Sequence, residues 1–377
     1  MLVLAGSAER AACAAAESPL ALAATPQLDR LAERGRVFPV RLTDEGSDPA
    51  SAAPLLALVG LDPRRRACAR AAHLALLYDV ELKPGEYFAS ANFVALFRDT
   101  IADVIPGPFS KAELEVLFEA VAGAAHSVGF RLLPGTGTEH LTVAPAGALD
   151  PRVPCPEGHA GERTAAFEPA CAPHALFHRL TREALDGHEI NQVRRELGEN
   201  GADMVWVWGP AEAIDPASKG PESTAAVGRD PLWQGVCRAA GIPVKEPKAP
   251  DPAALVRTVQ ALLRKGTRTV FVHSARGTRD ALCRSRELRA EGAAALDELL
   301  VGPLARAVEK AGGRLLVISE VARDSETGRA LSDPVPALLW GAGVEPLRPA
   351  PFTEAGAAGA GRPLEPGSGL LAYVRHL

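Results

Sequence analysis

The sequence predicts an α/β protein whose mostly parallel sheet is covered by helices on both faces and is interrupted by a smaller α+β domain. After about residue 173, short segments rich in Val, Leu and Ile alternate with amphipathic helical segments, as in parallel sheets. Between residues 81 and 172, several strand-like runs accompany a single helix, as in α+β units. At 377 residues the chain is also too long for one compact core. We therefore expect a discontinuous core domain over 1–80 and 173–377, with an inserted domain over 81–172.

The composition narrows the class of protein further. The formal net charge is -5 with no long run of one sign, so no nucleic-acid partner is expected. No stretch approaches 18 uninterrupted apolar residues, so no membrane partner is expected either. The six cysteines form no C-x-x-C pair, which argues against a zinc site and a disulfide framework. The apolar N-terminal segment is not preceded by basic residues, and it is interrupted by Glu9 and Arg10, so we predict no signal peptide. A cytoplasmic location is therefore expected.

The first 80 residues carry one strand and three helices. The run 1–5 is apolar and predicts a buried strand. A helix follows with Thr25 as the N-cap, Pro26 in the first turn and Gly35 just beyond the end. Two more helices are predicted over 54–58 and 70–77.

The middle region opens with an alternating run around a Pro-Gly turn, which predicts a strand. Ser110 with Glu113 three residues later forms a capping-box pattern and predicts the start of a long helix. The run 130–147 predicts two strands.

Helices and strands then alternate to the end of the chain. The helices are expected over 174–187, 231–241, 252–266 and 287–312, and the strands over 203–210, 242–247, 267–274, 313–320 and 334–343.

Five segments, taken in order, resemble one known family. They are 25–35 (TPQLDRLAERG), 46–64 (GSDPASAAPLLALVGLDPR), 81–96 (ELKPGEYFASANFVAL), 188–209 (HEINQVRRELGEN and VWVWG) and 331–344 (LSDPVPALLWGAGV). Together they resemble the archaeal-type 2,3-bisphosphoglycerate-independent phosphoglycerate mutases of the alkaline phosphatase superfamily. The resemblance implies an alkaline-phosphatase-like core with an inserted transferase-type domain. It also implies a glycolytic isomerase that moves a phosphoryl group between 3- and 2-phosphoglycerate.

The same resemblance implies a catalytic centre around Ser47. This serine falls at the position of the nucleophile, which two divalent metal ions, usually manganese, activate in the family. Six Asp and His side chains hold those ions, because hard and borderline cations prefer carboxylates and imidazoles. Here the six matching positions are occupied by Ala5, Thr278, Leu282, Glu320, Val321 and Ala330.

Five of these six side chains cannot hold a divalent cation, and the sixth is a glutamate in place of an aspartate. We therefore expect no metal cofactor, whereas two manganese ions would be needed if the family chemistry were retained. The substrate positions are also altered. Arg70 and His140 match the family, but Leu74 replaces an acidic residue, Ser90 a basic one and Glu139 an arginine. His273 adds a candidate substrate-binding side chain, because ligands gather at the carboxyl edge of such sheets.

Each candidate residue also has an ordinary interpretation. Ser47 is either the phosphorylated nucleophile, left idle if the metals are lost, or a helix-capping or turn serine with Asp48 accepting a first-turn amide. Arg70 is either a phosphate clamp or a solvated helix arginine, and His140 either binds substrate or is simply hydrogen-bonded at a strand end. Glu320 could at most bind a metal ion weakly, together with Asp48.

Three functions follow from these alternatives. The first is a catalytically impaired pseudoenzyme that retains a small phosphorylated or anionic ligand or a protein partner. The second is an active phosphoglycerate mutase or metal-dependent phosphohydrolase that uses Ser47. The third is a metal-free enzyme that uses Ser47 with His273.

Overall fold

The computed structural model describes residues 1–10, 17–44, 46–65, 68–135, 139–275, 282, 284–365 and 369–376. These residues form two compact units. The core unit comprises Met1–Cys68 and Pro216–Leu377, and the inserted unit comprises Ala69–Asp215. No helix in the described ranges has both the length and the apolar character needed to cross a bilayer.

Fourteen strands lie in the described parts of the chain. They are β1 (Leu2–Leu4), β2 (Arg36–Val40), β3 (Glu86–Phe97), β4 (Thr100–Asp103), β5 (Arg131–Leu133), β6 (His140–Pro145), β7 (Met204–Ala211), β8 (Thr224–Val227), β9 (Val244–Lys245), β10 (Thr269–Ser274), β11 (Arg314–Ser319), β12 (Ala322–Arg323), β13 (Ala330–Leu331) and β14 (Val335–Gly341).

The α-helices connect these strands. They are α1 (Pro19–Leu22), α2 (Pro26–Ala32), α3 (Ala53–Leu58), α4 (Arg70–Leu77), α5 (Lys111–Ser127), α6 (Ala172–Leu185), α7 (Glu189–Glu196), α8 (Pro231–Ala239), α9 (Pro252–Arg264), α10 (Arg286–Leu296), α11 (Gly302–Lys310), α12 (Glu354–Ala358) and α13 (Gly369–His376). A π-helical turn over Asp297–Val301 joins α10 to α11, and short 3₁₀ turns cover Pro63–Arg65 and Thr164–Phe167.

The core unit is built on a seven-stranded sheet in the order β2-β14-β11-β1-β10-β8-β9. Strand β14 is antiparallel to both of its neighbours, and the other pairs are parallel. Buried side chains fill both faces. One face packs against α3 and α8, and the other against α2, α9 and the α10–α11 run. The predicted mostly parallel sheet with helices on both faces is confirmed, with β14 as its antiparallel exception.

The inserted unit is an antiparallel sheet with helices on both sides. The long strand β3 pairs with β6 and β4, and β7 joins it as a further partner. Helices α5 and α6 cover one face around Phe93, Leu117 and Phe177, and α4 covers the other around Phe88 and Leu141.

The boundaries of this unit differ from those expected at 80/81 and 172/173. Residues 69–80 and 173–215 belong to the inserted unit rather than to the core. The reason is strand pairing, because β7 pairs antiparallel with β3 and α6 packs on the same sheet. The alternation of helix and strand from residue 173 onward therefore begins inside the insertion, where the sequence pattern does not distinguish it from the core.

Two predicted helix starts have different outcomes. The capping box of α5 is confirmed, since Ser110 Oγ accepts the Glu113 N–H and the Glu113 carboxylate accepts the Ser110 N–H. Thr25 is the N-cap residue of α2 but makes no side-chain capping bond. Instead the carboxylate of Asp297 accepts the N–H groups of Gln27 and Leu28, at 2.9 and 2.8 Å.

Candidate functional site

The expected metal positions lie at the carboxyl edge of the core sheet. Leu4 is in register with Ser274 of β10 and with Ser319 of β11, so the residues that follow these three strands are neighbours. Ala5 directly follows β1 and is fully buried, with its N–H donating to the Ser274 carbonyl at 3.1 Å. Glu320 directly follows β11.

Glu320 and His273 meet at this edge. The Nε2 atom of His273 lies 3.0 Å from Glu320 Oε2, and the imidazole is buried at 4% exposure. The indole of Trp233, on α8, stacks on the His273 ring with centroids 5.2 Å apart and planes 14° apart. The expectation that His273 stands at the carboxyl edge is confirmed, and its neighbours there are a carboxylate and an aromatic face.

The remaining expected ligand positions carry no coordinating atoms where the structure describes them. Val321 and Ala330 are both buried at 5% exposure, and Leu282 is half-buried. Thr278 lies outside the described residues. Within the ranges that are described, no group of three or more His, Cys, Asp or Glu side chains is arranged to hold a metal ion. The side chains that the structure describes at this edge therefore do not fit a two-metal centre.

Ser47 lies in a turn that precedes α3. Its N–H donates to the Asp44 carbonyl at 3.1 Å, and the residue is half-buried. The alternative in which Ser47 caps the helix is wrong, because α3 begins only at Ala53. The Asp48 carboxylate accepts the Ala50 N–H, before the helix starts. The turn serine remains as the ordinary interpretation.

Arg70 is mostly buried and is paired with two carboxylates. Only 11% of its side chain is exposed, and its Nη1 donates to Glu139 at 3.1 Å and to Glu157 at 2.8 Å. The guanidinium also lies over the ring of Trp208, 5.7 Å from its centroid. Burial alone would lower the Arg70 pKa, but the Glu157 and Glu139 carboxylates hold it well above its ordinary value. Two internal carboxylates thus occupy the group that the resemblance assigns to substrate.

His140 belongs to the interior of the inserted unit. It is 1% exposed and packs edge-to-face against Phe93 and Phe118, with centroids 5.4 and 4.8 Å away. Its Nδ1 accepts the Gly135 N–H at 3.1 Å, which places the proton of the neutral ring on Nε2. Burial lowers its pKa to about 4. The interpretation of His140 as a buried, hydrogen-bonded histidine is the one that this geometry supports.

Sequence reasoning missed a buried ion pair beside the end of β1. The guanidinium of Arg289, on α10, is fully buried and donates to Glu9 Oε2 at 2.7 Å. It also donates to the carbonyls of Gly6 and Ala8 and to Ser325 Oγ at 2.7 Å. The segment after β1, which would carry a metal ligand in the family, is therefore held by a protein cation. No sequence signal marks Arg289, since its partners Gly6, Ala8 and Glu9 lie about 280 residues away along the chain.

Part of the chain matches a protein-family model. Residues 32–191 match the model described as 2,3-bisphosphoglycerate-independent phosphoglycerate mutase. A probable mutase of this type from Geobacter sulfurreducens is 31% identical over 54% of this chain and 52% of its own length. The chain thus spans about half the length of the first relatives that it matches. The mutase of Methanothrix thermoacetophila is 25% identical over 87% of this chain and 86% of its own length.

Solved structures share the fold. A protein of Pyrococcus horikoshii aligns with a TM-score of 0.68 and 21% identity over 100% of this chain and 95% of its own. The cofactor-independent phosphoglycerate mutase of Thermoplasma acidophilum aligns with a TM-score of 0.54 and 19% identity, covering 100% and 98%. At these identities the likeness concerns architecture, and it agrees with the fold class predicted from the sequence.

Proposed function

We propose that this chain is a member of the family of 2,3-bisphosphoglycerate-independent phosphoglycerate mutases in which metal-dependent phosphoryl transfer is lost. In this proposal the protein keeps the family fold and acts as a binding, regulatory or scaffolding protein. Its ligand is a small phosphorylated or anionic molecule or a protein partner.

The observation that carries the proposal is the chemistry of the strand ends. Phosphoryl transfer from a monoester to a serine needs cations to activate the hydroxyl and to neutralise the transferred group. Ala5, Val321 and Ala330 offer no donor atoms, and the Glu320 carboxylate is hydrogen-bonded to His273. When bound, two divalent ions would supply that activation, but the side chains at these positions do not suit them.

The inserted unit supports the same proposal. An arginine that grips phosphate or carboxylate must present its guanidinium to the ligand. Arg70 instead donates to Glu139 and Glu157, and an incoming anion would have to displace two carboxylates that are themselves largely buried. This internal pairing disfavours phosphoglycerate as a ligand of Arg70.

The test is a turnover assay on the full chain. Purified protein with added manganese is incubated with 3-phosphoglycerate and with a chromogenic phosphomonoester, and its metal content is measured by elemental analysis. We expect no turnover above background and no bound stoichiometric metal. Turnover that disappears both in Ser47→Ala and in chelator would overturn the proposal and establish the active mutase or phosphohydrolase instead.

The contact between His273 and Glu320 favours one other candidate. An imidazole oriented by a carboxylate is the usual arrangement of a general base in nucleophilic catalysis. A metal-free enzyme that uses Ser47 and His273 would show chelator-insensitive hydrolysis that is lost in both Ser47→Ala and His273→Gln. Retained hydrolysis in His273→Gln would exclude this candidate.

A further inference from the structure

A basic groove flanks the edge of the core sheet, beside β9 and the helix α9. It encloses about 460 Å³, and its floor is formed by the small or apolar side chains of Ala254, Ala261 and Leu262. The lining contains none of the strand-end positions discussed above. Its volume falls within the range of small-molecule sites, about 300–1,000 Å³.

The rim of the groove carries a strong excess of positive charge. Four exposed basic side chains line it, and the lining includes one carboxylate, Glu246. That carboxylate is paired with Arg229 at 2.7 Å, so it does not neutralise the rim. The four basic residues are Lys245, Lys248, Arg257 and Lys265.

These four basic side chains form few ion pairs within the protein. Lys245, Lys248 and Lys265 form no ion pair with any residue that the structure describes, and Arg257 has only a 3.9 Å contact with the exposed Asp251. The chain as a whole has a formal net charge of -5. A concave cluster of unneutralised cations on an acidic protein focuses a positive potential at one place, which attracts anions with several charges.

We propose that this groove binds a compact polyanion, a small molecule with two or more phosphate groups. The lysine and arginine heads would contact the phosphates, and the remainder of the ligand would lie on the Ala254, Ala261 and Leu262 floor. The edge strand argues against an extended acidic peptide. Strand β9 is only two residues long and is flanked by Pro243 and Pro247, and prolines lack the N–H that strand addition needs. The inference does not rest on the loss of phosphoryl transfer.

The binding test uses the full chain, inorganic tripolyphosphate as the probe and titration calorimetry. We expect saturable binding that weakens as salt rises from about 50 to about 200 mM, because exposed charges are screened. The double variant Lys245→Gln/Lys248→Gln should bind about two- to thirtyfold more weakly, as the loss of two exposed ion pairs implies. Ala261→Glu, which places a carboxylate on the floor, should also weaken binding.

Arg264→Gln is the matched control. Arg264 is an exposed cation on the same helix but does not line the groove, so its removal should leave the affinity unchanged. An equal loss in Arg264→Gln and in the double lysine variant would overturn the proposal, as would the absence of saturable binding at the lower salt concentration. Tighter binding of a hexaglutamate peptide than of tripolyphosphate would replace it with a peptide site. Phosphoglycerate turnover has no bearing on these outcomes, so the two proposals fail separately.

Discussion

The Nε2 atom of His178, on helix α6, accepts the backbone N–H of Val207 at 3.2 Å. This side chain therefore takes the place of a neighbouring strand as the hydrogen-bond partner of β7. His174, one turn earlier on α6, contacts the Val207 carbonyl at 3.0 Å through Nε2. Thr181 Oγ1 accepts the Val205 N–H at 3.3 Å. Helix α6 thereby satisfies buried backbone groups along β7, which would be costly to leave unpaired.

The bond that His178 accepts requires a neutral imidazole, and so does the bond from the Asp150 N–H to His174 Nδ1 at 3.1 Å, so stability should depend on pH. Burial lowers the pKa of His174 to about 4, with Asp150 opposing the shift, and burial with the neighbouring His174 lowers that of His178 well below its usual value. The unfolded chain binds more protons than the folded one between about pH 6.5 and pH 4. The contribution of these histidines to the free energy of unfolding should therefore be full above about pH 6.5 and should be lost as the pH falls toward 4. A buried histidine whose pKa is lowered to about 4, as that of His140 is, contributes about 3 kcal/mol in this way.

Urea unfolding at several pH values measures this effect. His178→Gln keeps an oxygen that accepts the Val207 N–H but does not titrate, so it should reduce the loss of stability between pH 7 and pH 5. His126→Gln is the matched control, since His126 is an exposed residue of α5. A wild-type slope in His178→Gln would contradict the prediction.

Replacement of Arg70 tests whether its ion pairs are structural. Arg70→Met leaves Glu139 and Glu157 without their shared cation in a mostly buried place, and we expect a loss of about 3–5 kcal/mol in the free energy of unfolding. The triple variant Arg70→Met/Glu139→Gln/Glu157→Gln should recover most of that loss in urea unfolding, because no uncompensated charge remains. An Arg70→Met protein as stable as wild type would mean that this arginine is held for a ligand rather than for the fold.

The start of α2 should depend on Asp297 rather than on its own N-cap residue. Asp297→Ala removes both acceptors of the Gln27 and Leu28 N–H groups and should cost about 1–2 kcal/mol. Thr25→Ala removes no capping bond and should change stability by less than about 0.5 kcal/mol. Thermal or urea unfolding of the two variants gives the comparison, and the reverse order of losses would refute it.

Gly35 should not tolerate a side chain. A Cβ atom there would stand 2.6 Å from the Leu339 carbonyl and 2.9 Å from that of Leu31, and both are backbone atoms that cannot move cheaply. We expect Gly35→Ala to cost at least about 1–3 kcal/mol. Gly123→Ala in α5 is the control, because it meets nothing within 4 Å and should stabilise the helix by about 0.5–1 kcal/mol. Equal effects of the two substitutions on the melting temperature would contradict the steric argument.

Short sequence patterns predicted many helices and strands correctly, because the interactions that start and end these elements lie between residues close together in the chain. Helix α4 runs from Arg70 to Leu77 as expected, and the α5 capping box depends on two residues that are three apart. The alternation of apolar strands with helices identified the class of sheet. The domain boundary could not be placed in this way, because whether β7 joins β3 or the core sheet depends on a pairing between distant segments.

The sequence by itself determined the fold class and the absence of coordinating side chains at most of the positions that the family resemblance assigns to metal ligands, since each follows from residue type and order. Tertiary structure decided the partners of the charged groups. Arg70 is neutralised by Glu139 and Glu157, 69 and 87 residues away, and Arg289 holds the segment after β1 from the far end of the chain. Electrostatic energy depends on distance and burial, and neither of these is encoded in the spacing of residues along the chain.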